Sequence, residues 1–436
     1  VGGPGEGSDV SITRPLGFRA AAATAGIKPS GKSDLALIVC DPGQAPAGAG
    51  GKSHPIEGRC SAAAVFTRNA VVGAPVEIGR RWRAGAMRDG RGSLRAVLVN
   101  AGCSNAATGE PGIEDARATM RAAADLLGCR PEEVLPSSTG VIGHRLPVAK
   151  ITSALPGLVA SLARGEEADE AAARAIMTTD LVPKTAHRAI EIRGHQVHLG
   201  AVAKGSGMIA PRLDSAGPQA TMLAFVTTDA AVATPALQHA LEDACRESFD
   251  RVSVDAHPSC SDTVVALASG AAPVAPIHDG DPEYFALRAA LTSLCQELAT
   301  KVVRDGEGVT RTFRVEVRGA ADHASAEVMA RAVVDSPLVK CAIHGKDPNW
   351  GRIVTAAGNA GVRFDPLEAG LSIGGVEVYR SGVPTGVPKT DPKLKAAMNA
   401  DPVECVLTVG HGRGRAWMLG CDLSAEYVRI NAEYTT

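Results

Sequence analysis

Aromatic residues make up only 3% of the 436-residue chain, too few to build a stacking surface for single-stranded nucleic acid. Neither charge sign is in excess. Lys and Arg number 45 against 47 Asp and Glu, a formal net charge of −2. Such a chain has no electrostatic case for nucleic acid or an anionic membrane as its main partner. No apolar run approaches the ~18 residues of a membrane-crossing helix. The 48 glycines follow no G-x-y period, which excludes a collagen-like chain. The ten cysteines form no C-x-x-C pair, and no H-E-x-x-H occurs. Several cysteines end apolar runs, as in Leu-Ile-Val-Cys40, so all ten read as thiols of a reducing compartment rather than a disulfide framework or zinc site. The N-terminus has no basic-then-apolar signal pattern, and Glu6 and Asp9 argue against a transit peptide. The cytoplasm is the expected location, with the mitochondrial matrix as the alternative.

What is present is ample apolar material, 45% of residues, for one large or two medium domains. Residues 34–41 read as a buried strand and 42–55 as a Gly/Ala/Pro loop. Further strands are expected over 62–76 and 94–100. Residues 113–127 repeat apolar side chains at helical spacing, with Gly128 as a stop. A second helix is expected over 166–176, and a hairpin over 189–202 around Arg193-Gly194-His195. Residues 222–226 form a short continuous apolar run, the pattern of a strand buried on both faces. Helices over 235–249, 284–304 and 323–335, with a strand over 313–317, complete a layered α/β (α+β) pattern of mixed sheets.

Two nucleotide motifs match in letters only. Residues 26–33, Gly-Ile-Lys-Pro-Ser-Gly-Lys-Ser, fit the P-loop, whose phosphates sit on the N-terminus of a helix that follows. Here a strand follows, so the segment reads as a surface turn. Residues 205–210 fit the dinucleotide fingerprint, but Pro211 and the breakers through Pro218 stand where its helix must begin. His195 and His198, three apart on a strand, face opposite sides and make poor metal ligands.

The stretch 204–229 is different. A lysine and small glycines lead through a turn-rich loop into Ala220-Thr221, directly before the buried strand. An N-terminal nucleophile would stand there: such a Thr attacks the carbonyl before it, water cleaves the resulting ester, and the freed α-amine serves as base for the hydroxyl. Composition alone also allows an ordinary Thr at a strand start.

Lys-Gly-Ser-Gly-Met-Ile-Ala-Pro (204–211), Ala-Thr-Met-Leu-Ala-Phe (220–225) and Thr-Thr-Asp-Ala (227–230) resemble the ornithine acetyltransferase/glutamate N-acetyltransferase family. So do Ser-Ser-Thr-Gly-Val-Ile-Gly (137–143), Ala-Ile-Met-Thr-Thr-Asp (175–180) and Asp-Gly-Glu-Gly (305–308). His-Gly-Lys-Asp-Pro-Asn-Trp-Gly-Arg-Ile (344–353) and Tyr-Val-Arg-Ile-Asn-Ala-Glu-Tyr-Thr-Thr (427–436) complete the family's order. The resemblance implies an αββα sandwich of the amidohydrolase-like N-terminal-nucleophile kind. It implies autocleavage between Ala220 and Thr221 into an alpha chain, residues 1–220, and a beta chain, 221–436, assembled as two of each. Thr221 is then the nucleophile, and Thr139 with Gly140 the oxyanion hole. Thr178, Lys204, Thr221, Glu307, Asn431 and Thr436 match the positions that bind the amino-acid substrate. The implied reaction is ping-pong transfer of acetyl from N2-acetyl-L-ornithine to L-glutamate, in arginine biosynthesis, with no metal or bound cofactor. Some members of the family also use acetyl-CoA as a co-substrate.

This sequence departs from the family in two places. Residues 212–219 stand where the family usually has two residues, lengthening the loop before the scissile bond by about six, so that Gly217-Pro218 must restore its geometry. Residues 254–262, Val-Asp-Ala-His-Pro-Ser-Cys-Ser-Asp, replace a segment usually richer in Asp, Thr and Asn. Both bear on substrate preference and cleavage rate. The rival activity is an amidase or peptidase using Thr221 with water as acceptor.

Overall fold

The computed structural model describes residues 11–41, 60–211, 213 and 222–433. The chain runs through β1 (Phe18–Ala23), β2 (Leu35–Cys40), β3 (Ser61–Phe66), α1 (Ala74–Asp89), β4 (Ala96–Cys103), α2 (Gly109–Leu127) and β5 (Val134–Val141). Then come α3 (Val148–Ala160), α4 (Glu166–Ala175), β6 (Lys184–Ile192), β7 (His195–Lys204), β8 (Leu223–Thr228), α5 (Thr234–Arg246), β9 (Val252–Ser253), β10 (Thr263–Ala268) and α6 (Pro282–Arg304).

Two sheets form from these strands, in the orders β1-β2-β4-β5 and β3-β10-β8-β7-β6. β2, β3, β8 and β10 are mostly apolar and buried at every position because both faces are covered, whereas β6 at the sheet edge is polar at half its positions or more. Ala36, Ile38, Val97 and Val99 of the first sheet pack against Ala64, Phe66, Phe225 and Val265 of the second. The alternate residues Leu35, Leu37 and Val39 turn outward onto Ala116 and Ala123 of α2 and Ile151 and Leu155 of α3. On the far side, Leu199, Ala201, Val226 and Val264 meet Leu237 and Leu241 of α5 and Leu291 and Leu294 of α6. Helices, sheet, sheet, helices: the expected αββα layering is the observed one. Burying each such Leu, Ile or Phe side chain stabilises by about 1.5–3 kcal/mol.

A third unit follows: β11 (Thr312–Ala320), α7 (His323–Asp335), α8 (Pro337–His344), α9 (Trp350–Gly358), β12 (Gly370–Ile373), β13 (Val376–Arg380), β14 (Val383–Pro384), α10 (Pro392–Asn399), β15 (Val403–Thr408), β16 (Gly414–Cys421) and α11 (Ala425–Glu433). Its strands and β9 make a seven-stranded sheet, ordered β14-β13-β12-β15-β11-β16-β9. One face of that sheet packs Val315, Leu407 and Met418 with Met329 and Val333 of α7. No helix among the described residues is long and apolar enough to cross a membrane.

Two expectations need correction. The strand expected over 62–76 ends at Phe66, because the Asn69 carboxamide accepts the Val71 N–H and turns the chain. Pro75 then fits the first turn of α1, where its missing N–H costs nothing. The ten cysteines are not all thiols either. Cys40 at the end of β2 and Cys60 just before β3 are bonded, with Cα atoms 6.4 Å apart between the two sheets. The other eight are free, and of these Cys129 is half-buried and Cys341 exposed. The loop expected over 42–55 lies outside the described residues.

Candidate active site

β4 and β5 run parallel, with Ala101 opposite Thr139 and Gly102 opposite Gly140. At that end the two backbones touch. A Cβ on Gly140 would lie 2.4 Å from the Gly102 carbonyl carbon and 2.7 Å from the Cys103 nitrogen, and φ at Gly140 is +125°. Only glycine fits there. Thr139 beside it is fully buried.

Lys204, the last residue of β7, is also fully buried, and its Nζ donates to Thr178 Oγ1 at 2.8 Å and to Thr139 Oγ1 at 3.2 Å. Burial pulls this ammonium below the ordinary lysine range; Asp180, 4.0 Å away, opposes the fall. Asp180 accepts the backbone N–H of Gly205 at 2.6 Å and of Thr178 at 3.0 Å. Burial alone would raise its carboxyl, but the charges of Lys204 and Lys184 hold it at about 2. Lys28, from the turn with the P-loop letters, donates to the Ser33 carbonyl at 2.6 Å and the Ala175 carbonyl at 2.9 Å. That ties the turn to the end of α4, three residues before Thr178. β2 follows the turn, as the sequence reading required.

Opposite stands Glu307, just after α6, whose Oε2 accepts from Asn431 Nδ2 at 2.8 Å. Its backbone N–H donates to the Ser206 carbonyl at 3.2 Å, and its carboxyl lies over Gly207, where a Cβ would come within 2.3 Å of Cδ. Asp255 accepts the backbone N–H groups of Met208 at 2.7 Å and Ile209 at 2.9 Å, and burial pushes its carboxyl up. Between these walls lies a cavity of about 320 Å³. Thr139, Gly140, Thr178, Lys204, Glu307 and Asn431 all line it. Ala220, Thr221 and Thr436 lie outside the described residues, as does most of the loop 212–219. Their neighbour Met222 donates its N–H to the Asp262 carboxylate and accepts the Thr263 N–H at 3.0 Å, where β8 begins.

The divergent segment 254–262 is part of the wall, supplying Asp255, His257, Ser259, Cys260 and Ser261. Within it Ala256 has φ +59°, a left-handed conformation that favours glycine. Ala256→Gly is therefore expected to stabilise the protein by about 0.5–1 kcal/mol. The check is a higher urea midpoint at unchanged slope; a lowered midpoint would show that the alanine carries no strain. Sequence reading missed Asp180, Lys184, Asp305 and Tyr427 as site-forming residues. Asp180 and Asp305 stood inside the quoted motifs, but only the fold brings them together.

Such a cavity can seat a small zwitterion between cation and carboxylate and offer hydroxyl and amide donors to an acyl oxygen. That places the protein among acyl-transferring enzymes with a double-sheet core. Residues 19–436 match the ArgJ family, and the chain belongs to that family. The arginine biosynthesis bifunctional protein ArgJ of Thermosynechococcus vestitus is 43% identical over 441 residues, with 98% of both chains covered. Its counterpart from Synechocystis is 42% identical over 435 residues, again with 98% of both covered. Among solved structures, ornithine acetyltransferase from Mycobacterium tuberculosis complexed with ornithine is 37% identical, at a TM-score of 0.38. The match covers 47% of this chain and 96% of that one.

Proposed function

We propose that this protein moves the acetyl group of N2-acetyl-L-ornithine to L-glutamate in two half-reactions, through an acetyl ester on Thr221. The convergence of Thr139, Gly140, Thr178, Lys204, Glu307 and Asn431 on one cavity carries this reading. The names of the relatives, proteins of arginine biosynthesis, support it. Thr221 first attacks the Ala220 carbonyl, its peptide nitrogen leaves, and water hydrolyses the ester to give residues 1–220 and 221–436. The freed α-amine accepts the Thr221 hydroxyl proton as that oxygen attacks acetylornithine. Thr139 and Gly140 receive the oxyanion, and ornithine departs with the proton. Glutamate then takes the acetyl group by the reverse sequence. Thr178, Lys204, Glu307, Asn431 and Thr436 hold the amino acid. The related proteins are called bifunctional, and we extend the proposal to acetyl-CoA as a second donor to Thr221. The assembly we propose is two copies of each fragment, and the compartment the cytoplasm.

The test supplies acetylornithine and glutamate to the purified protein. Ornithine and N-acetylglutamate are expected in equal amounts. Free acetate, formed at a rate indifferent to glutamate, would overturn transfer in favour of hydrolysis.

A further inference from the structure

We infer that Lys184 is a positioning residue for this site, its ammonium bridging Asp180 and Asp305 so that Thr178 and Lys204 on one wall stay in register with Glu307 on the other. The inference rests on the acyl-transfer reading above. Lys184, the first residue of β6, is not among the residues that line the cavity. Its Nζ donates to Asp180 Oδ1 at 2.7 Å, to Asp305 Oδ2 at 2.6 Å and to the Val182 carbonyl at 3.3 Å. The three side chains are 1%, 0% and 7% exposed, so water does not substitute for any of these contacts.

Each carboxylate in turn holds backbone next to a site residue. Asp180 takes the N–H of Thr178 and of Gly205, which fixes the Thr178 turn and the end of β7 just past Lys204. Asp305 takes the Leu181 N–H at 3.0 Å, and its carbonyl accepts from Ser206 Oγ at 2.6 Å. The Ser206 carbonyl receives the Glu307 N–H, so the Glu307 loop hangs on the same node. A buried ion triad is a poor source of net stability, since desolvation offsets most of its attraction. What it supplies is a fixed distance between two carboxylates that would otherwise repel. Through Asp180 and Asp305 it ties the Thr178 turn and the end of β7 to the loop that carries Glu307.

The test uses the full chain with Lys184→Met and Lys184→Met/Asp305→Asn, measuring kcat, KM, ornithine affinity by calorimetry, and Tm. Lys184→Met should lose on the order of 100-fold in kcat/KM, the scale of a misplacement near 1 Å, with weaker ornithine binding. It should also melt lower, because two buried carboxylates are left with too little compensating charge. The double variant removes that imbalance, so its Tm should recover while kcat/KM and ornithine affinity stay low. A double variant that regains activity along with Tm would make Lys184 a structural residue only and overturn the inference. So would a folded Lys184→Met enzyme within about threefold of wild type. If neither variant folds, the bridge serves folding and the positioning role falls. A wild-type protein that transfers no acetyl would fail the functional reading itself, and this inference with it.

Discussion

Thr221→Ala is expected to stay in one piece on a denaturing gel and to transfer no acetyl. Wild type should give two bands, the second starting Thr-Met-Leu. Alanine lacks the oxygen that attacks the Ala220 carbonyl, so the acyl shift has no nucleophile and the peptide bond stays intact. It also lacks the acceptor for the acetyl group. Deleting a catalytic nucleophile costs on the order of a million-fold in turnover, so residual activity should fall below detection. The packing around the site should survive, because Met222 is held by the Asp262 carboxylate and Thr263 through its backbone, independently of the side chain before it. A variant that is still cut after residue 220, or that still makes N-acetylglutamate, would remove Thr221 from the mechanism.

The second large effect is expected from a single methyl group. In Gly140→Ala the new Cβ meets the Gly102 carbonyl carbon and the Cys103 nitrogen, both backbone atoms of the paired strand β4. Neither can swing aside as a flexible side chain would. β4 and β5 must part at this end, and φ must leave +125° as well. Both changes move the Gly140 backbone and Thr139 beside it, the donors assigned to the oxyanion. Losing one such donor costs roughly 100- to 1000-fold in kcat, about 2.7–4 kcal/mol of transition-state stabilisation. KM should move much less, and self-cleavage should slow in parallel because it passes through the same kind of tetrahedral oxyanion. The measurement is kcat on soluble variant together with the rate of band splitting after expression. Turnover within a few-fold of wild type would take the oxyanion role away from this strand end.

The layered core was legible because its signals are local. Residues 35–40 are apolar at every position, and the structure sends alternate ones into two different layers. The helix over 113–127 follows from spacing alone and lies within α2. α1 was missed because the strand reading ran on through Ala70-Val71-Val72, although the signals that separate it from β3, the Asn69 turn and Pro75 at the helix start, are local. The Cys40–Cys60 bond had no spacing signature. Of the site, Lys204, Glu307 and Asn431 were found through the resemblance; chemistry alone would have passed over them as loop and tail residues. The Asp180–Lys184–Asp305 node was not found, since its members are up to 125 positions apart and each carries an everyday surface residue type.

The strand order β3-β10-β8-β7-β6 has a consequence for the proposed cut. β3, β6 and β7 precede residue 220, whereas β8 and β10 follow it, so the downstream pair is inserted between upstream strands. Severing the peptide bond before β8 therefore removes no ladder from the sheet. The two pieces are interleaved like the fingers of clasped hands, and neither could leave without stripping hydrogen bonds from both sides of the other. Either piece alone would expose raw strand edges, an invitation to aggregate. On the proposed cleavage, covalent continuity becomes dispensable once the fold is reached: the chain would serve as a scaffold for its own assembly, and the proposed mature enzyme as a complementation complex of its own halves.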